Sequence, residues 1–344
     1  MEIFENKNNT KIKKIRVKNK NNLEIEWCNL GARITKIMVP FKKYDLRNII
    51  LTYDNIEDMY TNREYYYGST IGRVAGRIAE GKVLFSDCEI QLSQNEGLNH
   101  IHGGREGLDL ILWDCNIDLH KNNVELTFSC QDYEGHNGYP GNMDIKVKYI
   151  FDDNNNLRIE YYARTDKETI FNPTNHTYFN LNGNNSRNIL NHYLWIDTDE
   201  FAPVKKNSLP IGILLPTKGT VFDFKKGLSL CEVLLSEDSQ LKLMGGIDHT
   251  FQLNKQNDYQ IKLYCKDSPI KVFLRTSEPA VTVYSHNKVN KPILSNGGLI
   301  TKYSGLALEP QVIPDSVHFP NFGNIYLSSD KEYRSWSEIY LRMN

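Results

Sequence analysis

The 344 residues contain six cysteines, at positions 28, 88, 115, 130, 231 and 265, with no CxxC pair among them. That scatter excludes a zinc ribbon and a disulfide scaffold, and thiols of this kind in a reducing compartment are expected to be buried. No apolar run is long enough to span a bilayer, and the opening MEIFENKNNTKIKK has charges and amides where a signal peptide needs an apolar stretch. A cytoplasmic protein with no membrane partner is therefore expected, and the sequons at Asn8, Asn175 and Asn184 carry no functional weight. Charge of one sign is missing too: the formal net charge is -1. Such a chain has no global field to gather nucleic acid, so a neutral small-molecule partner is expected. Helical signal is thin, with Asp54 to Tyr60 and the stretch around Leu228 to Ser236 as the best short candidates. There is no βαβ rhythm and no repeat of fixed period, which excludes a parallel nucleotide-binding sheet, a propeller and a solenoid.

What is present is alternation. In VELTFSC the apolar positions Val124, Leu126, Phe128 and Cys130 are spaced two apart, and the pattern recurs in IKVKYIF, LRIEYYA, YQIKLYC and IKVFLRT. Period two is the mark of half-buried strands. Asn, Asp and Gly clusters such as Asp152 to Asn156 and Asn182 to Ser186 supply the tight turns between them. Many strands and no linker predict an all-β fold, a large antiparallel β-sandwich with few short helices, forming a single domain over 1–344. One concave face of such a sandwich can line a groove suited to a carbohydrate.

Five segments carry chemistry. IGRVAGRIAEG places Arg73 and Arg77 between glycines, so that a guanidinium fork can be presented to oxygen atoms. GLNHIHGG offers Asn99, His100 and His102, the two histidines sharing a face if the segment is extended. With Glu106 they also have the spacing of a cupin-like metal site, although the second motif of such a site is missing. NPTNHTYFNL presents His176 beside Tyr178 and Phe179, rings able to stack on a sugar. GGIDHTFQL brings Asp248 to a strand entrance, and a carboxylate there is a natural acceptor for a hydroxyl. In GLALEPQVIPD, Glu309 closes an apolar run, a costly place to bury a charge unless it is used or paired.

Taken in order, from about Gly31 onward, these segments resemble the aldose 1-epimerase (galactose mutarotase) family: GR-x-x-x-RI, N-x-x-HGG, NPTNHTYFNL, G-x-DH-x-F and LEPQ-x-x-PD. The resemblance implies a β-sandwich that interconverts the α and β anomers of a free aldose such as galactose or glucose, with no cofactor and no metal, as a monomer or homodimer. It further implies Glu309 as general base and His176 as general acid, with Arg73, His102 and Asp248 holding substrate oxygens and Asn99 and Gln311 as further polar contacts. Opening a pyranose ring needs one group to take the anomeric hydroxyl proton and another to give one to the ring oxygen, which suits this pair. Two departures stand out. His286 occupies the glycine position of a Tyr-Thr-Gly-Asn segment, where it is expected to narrow the pocket or shift its preference, and Gly76 replaces an Asn. Residues 1–30 carry no signature of the family. Two other readings remain: a glycoside-modifying enzyme using Asp248 and Glu309 as paired carboxylates, and a non-catalytic carbohydrate-binding sandwich.

Overall fold

Alternating residues become antiparallel ladders whose two faces meet different surroundings. The computed structural model describes residues 2–6, 11–42, 45–85 and 88–343; the Asn8 sequon lies outside them. Nine strands form one antiparallel sheet, in the order Asp114–Leu119, Asn123–Asp132, Met143–Asp152, Asn156–Thr165, Tyr333–Met343, Ile270–Thr276, Ile261–Cys265, His192–Ile196 and Leu228–Ser229. The strands read from sequence at 124, 145, 157 and 270 all lie in it, and the turn at Asp152 to Asn156 joins two of them. A five-stranded sheet is built from the chain between Glu2 and Asn48.

The sheet that matters for function has six strands, ordered Tyr178–Phe179, Leu306–Gln311, Ala280–Tyr284, Asp248–Gln252, Glu200–Ala202 and Leu215–Pro216. Its register sets Glu309 opposite Thr282, and Thr282 opposite Thr250; Asp248 stands opposite Tyr284. Residues directly opposite share a face, so these polar side chains form one surface. The intervening positions Leu306, Leu308, Val281, Val283, Phe251 and Phe201 point the other way and join the main core, which also takes in the nine- and five-stranded sheets. Burying each such side chain is worth about 1.5–3 kcal/mol. A one-residue slip would exchange the polar and apolar faces, so the core locks the register that aims Glu309.

The helices are shorter than the sequence suggests. The 54–60 candidate is α-helical only from residue 58, in a helix Asp58–Thr61 that runs one residue past it, and the 228–236 candidate only over Leu230–Leu234. A third helix, Ser239–Met244, was not anticipated; the Asp238 carboxylate accepts from the backbone N–H groups of Gln240 and Leu241, and Gly245 ends it in the left-handed conformation. The cysteines also depart from expectation: Cys28 and Cys265 are buried, Cys88 is exposed and the other three lie between.

Candidate active site

The polar face of the six-stranded sheet forms one wall of a cavity of about 280 Å³, near the lower end of the size of small-molecule sites. Tyr178, Asp248, Thr250, Thr282, Tyr284, Glu309 and Gln311 come from that sheet; Tyr65, Tyr66, Arg77, His102 and His176 close the cavity from adjoining segments. Phe179, next to Tyr178 on its strand, packs into the core and offers no ring to a ligand.

Glu309 and His176 meet at the cavity's inner end. His176 Nε2 lies 3.4 Å from Glu309 Oε1, and both side chains are almost wholly shielded from solvent. Burial raises the Glu309 carboxyl to about 8, with the Asp248 charge adding to the rise and Arg77 opposing it. Burial also lowers the His176 imidazole to about 3, with His286 adding to the depression. Both shifts follow from the cost of keeping charge away from water. Tyr178 stacks on His176 with centroids 4.8 Å apart, and His102 meets it edge-on at 5.2 Å.

The two arginines of the IGRVAGRIAEG segment divide differently from expectation. Arg73, expected to hold substrate oxygens, is buried away from the cavity. Its guanidinium is committed to Asp132 Oδ2 at 2.5 Å and donates also to Thr169 Oγ1 and the carbonyls of Asp132, Pro140 and Gly141. Arg77 takes the place at the cavity: Nε and one terminal nitrogen donate to the Glu96 carboxylate at 2.6 and 2.8 Å, and the other lies 4.0 Å from Asp248 Oδ2. The reason is the bend between them. Gly76 has φ of +74°, and a Cβ there would sit 2.6 Å from Pro314 Cγ. Gly and Asn both tolerate such φ values, but only Gly fits against Pro314 as it stands here.

Asn99, expected as a further polar contact, does not reach the cavity either. It holds the turn of Glu96 through reciprocal backbone hydrogen bonds at 3.1 and 2.9 Å, and so bears on Arg77 indirectly. Gln311 does line the cavity; its amide donates to Thr282 Oγ1 at 2.5 Å while Oε1 has no protein partner. His286 is not a lining residue, so it does not narrow the cavity directly; its ring lies behind Tyr65 and Tyr178.

The metal set read from the sequence is not assembled. His102 has φ of +50°, which breaks the extended run from His100. The His100 ring is instead held between Ser93 O and Tyr139 Oη, and Glu106 is exposed. His102, His176 and Glu309 do bring one donor atom each within 4.8 Å of one another. However, the Gly76 N–H donates to His102 Nδ1 at 3.3 Å, which leaves the proton of the neutral ring on Nε2. A ring nitrogen that carries its proton donates to an oxygen and does not ligate a metal. His176 Nδ1 has no protein acceptor, whereas metal-bound imidazoles give that N–H to one. The donor set fits a hydroxylic ligand better than a metal ion.

The family model described as Aldose 1-epimerase matches residues 13–340. Galactose mutarotase of Bos taurus is 33% identical over 314 residues, covering 90% of this chain and 89% of that protein. Aldose 1-epimerase of Haemophilus influenzae is 33% identical over 332 residues, covering 94% of each. Among solved structures, galactose 1-epimerase from Lactobacillus acidophilus superposes with a TM-score of 0.87 at 32% identity, covering 99% of this chain and 98% of that one.

Proposed function

We propose how this chain, which belongs to the aldose 1-epimerase family and interconverts the α and β anomers of an aldose, divides the work among its residues. Glu309 takes the proton of the anomeric hydroxyl while His176 gives one to the ring oxygen; the bond from C1 to that oxygen breaks and the open-chain aldehyde forms. Rotation about C1–C2 presents the other face. Closure reverses both transfers: the protonated Glu309 returns its proton to the aldehyde oxygen and His176 recovers its own from the chain hydroxyl. The observation that carries this reading is the 3.4 Å approach of His176 Nε2 to Glu309 Oε1 at the inner end of the cavity. Arg77, His102, Asp248 and Gln311 hold the sugar hydroxyls, with Arg77 in the role first given to Arg73 and stabilising negative charge on oxygen.

The substrate is a free hexose such as galactose or glucose, a neutral small molecule that fits a cavity of about 280 Å³. We further propose a single domain over 1–344, acting in the cytoplasm as a monomer or homodimer, without nucleic-acid or membrane partners; no helix among the described residues is long and apolar enough to cross a membrane. Polarimetry of freshly dissolved α-D-galactose and α-D-glucose tests the assignment. Glu309→Gln should lose nearly all acceleration, and His176→Gln much of it, with both proteins folded. Unchanged rates in both variants would remove the pair from catalysis.

A further inference from the structure

Behind the cavity lies a histidine with no contact to a ligand in the scheme above. His286 is completely buried and adopts φ of +51°, a conformation that costs an L residue free energy. Its backbone is pinned from both sides: Tyr303 N–H donates to His286 O at 3.0 Å, and the preceding Ser285 N–H donates to Ile247 O at 3.1 Å. The ring plane is then set by a 2.7 Å hydrogen bond between Nε2 and Tyr67 Oη.

From that fixed position the ring packs against three residues of the cavity wall, Tyr284 at 6.4 Å between centroids and two others more closely. Tyr65 stacks on it with centroids 5.4 Å apart and 17° between planes; Tyr178 meets it at 5.3 Å and 65°. Each passes the contact on. Tyr178 stacks on the His176 imidazole at 4.8 Å, and Tyr65 Oη accepts from the backbone N–H of Asn290, another cavity residue, at 2.9 Å. Rings packed this closely share one contact surface on the side away from the cavity, so a shift of the His286 ring changes the packing of both.

We propose that His286 is a positioning residue for the reaction: through Tyr178 it fixes the plane of the His176 imidazole, and through Tyr65 it fixes a second part of the aromatic wall and the Asn290 backbone. The effect on His176 rests on its assignment as the acid; the effect on the wall does not. A plane error of the donor lowers turnover, and a displaced wall weakens sugar binding.

Three variants test this by polarimetry at varied sugar concentration, with thermal unfolding in parallel. His286→Gly keeps the backbone conformation and deletes the ring; His286→Asn keeps tolerance of positive φ and a polar group without the ring; Tyr67→Phe retains every ring and removes only the hydrogen bond. Both His286 variants should lower kcat about tenfold and raise KM several-fold, and Tyr67→Phe should lower kcat severalfold with little change in Tm. A role confined to filling space would lower Tm in the His286 variants and leave kcat and KM alone. Wild-type kcat and KM in Tyr67→Phe and in whichever His286 variant folds would overturn the proposal. If His176→Gln keeps full turnover, the acid assignment fails by itself, and the change in KM still decides whether His286 sets the wall.

Discussion

Glu309 and His176 can hold a single proton in two arrangements. Burial favours the carboxylic acid beside a neutral imidazole, as the rise of one to about 8 and the fall of the other to about 3 indicate. Catalysis of ring opening uses the carboxylate beside an imidazolium, which has the same number of protons, so the reactive fraction does not change with pH while the pair keeps one proton. The expected profile of kcat/KM for the enzymatic rate is therefore flat through neutrality and falls above about pH 8, where that proton is lost. A rate that instead climbs through pH 8 would identify the reactive form as carboxylate with neutral His176, and the acid would have to be sought elsewhere. Arg73 and Arg77 make a second test at this scale. Arg77→Ala should lower kcat/KM by roughly 10- to 100-fold with little loss of stability, because its side chain faces the cavity. Arg73→Ala should cost about 3–5 kcal/mol in thermal unfolding, since it leaves the buried Asp132 carboxylate with His136 alone and frees the carbonyls that Arg73 serves; the opposite pattern would restore Arg73 to the site. The residue types at the site were legible in the sequence, because a lone carboxylate in an apolar run and a histidine beside tyrosine have few structural uses. Which arginine faces the cavity was not legible, since a chain that reverses at Gly76 follows neither the helical nor the strand period.

Loops without regular structure place much of the site, and one glycine shows how tightly. Gly103, directly after His102, has φ of +83°, and a Cβ on it would fall 1.6 Å from the carbonyl oxygen of Gly72. Gly103→Ala should therefore cost about 2 kcal/mol or more in thermal unfolding and should raise KM by displacing His102. Native Tm and KM in that variant would mean the loop can relax without moving the histidine. Strands were the legible elements, and IKVFLRT coincides with the observed strand Ile270–Thr276. Their alternation reports one buried face directly. The same alternation cannot say that Leu306–Gln311 is buried on both faces, with Leu308 in the core and Glu309 in the cavity wall. Short helices were the weakest reading because two turns offer almost no periodicity; the signal for Ser239–Met244 lay in its ends, Asp238 and Gly245.

Six of the nine histidines, namely His100, His102, His176, His192, His249 and His286, are held neutral by burial, with their pKa values depressed. In the unfolded chain they take up protons near pH 6.5, while in the folded chain they resist. The unfolded state thus binds more protons as pH falls below about 6.5, and stability is lost in that direction, by roughly 1.4 kcal/mol per pH unit for each group that charges only on unfolding. Glu309, Asp248, Glu278 and His318 work the other way, their raised pKa values adding stability as pH falls, but they are four groups against six. Calorimetry between pH 6.5 and 4.5 should show a steep fall in Tm; a level Tm would mean these imidazoles become hydrated without unfolding. The class of fold was legible because composition left only strands to build with, whereas the pairing of strands distant in sequence was not. The clearest such pairing is that of Tyr333–Met343, which lies in the middle of the nine-stranded sheet between Asn156–Thr165 and Ile270–Thr276. A ribosome delivers both of those flanking strands long before the strand that joins them. The nascent chain must therefore carry two unmatched sheet edges until residues 333–343 leave the exit tunnel, and only then can the large sheet be completed.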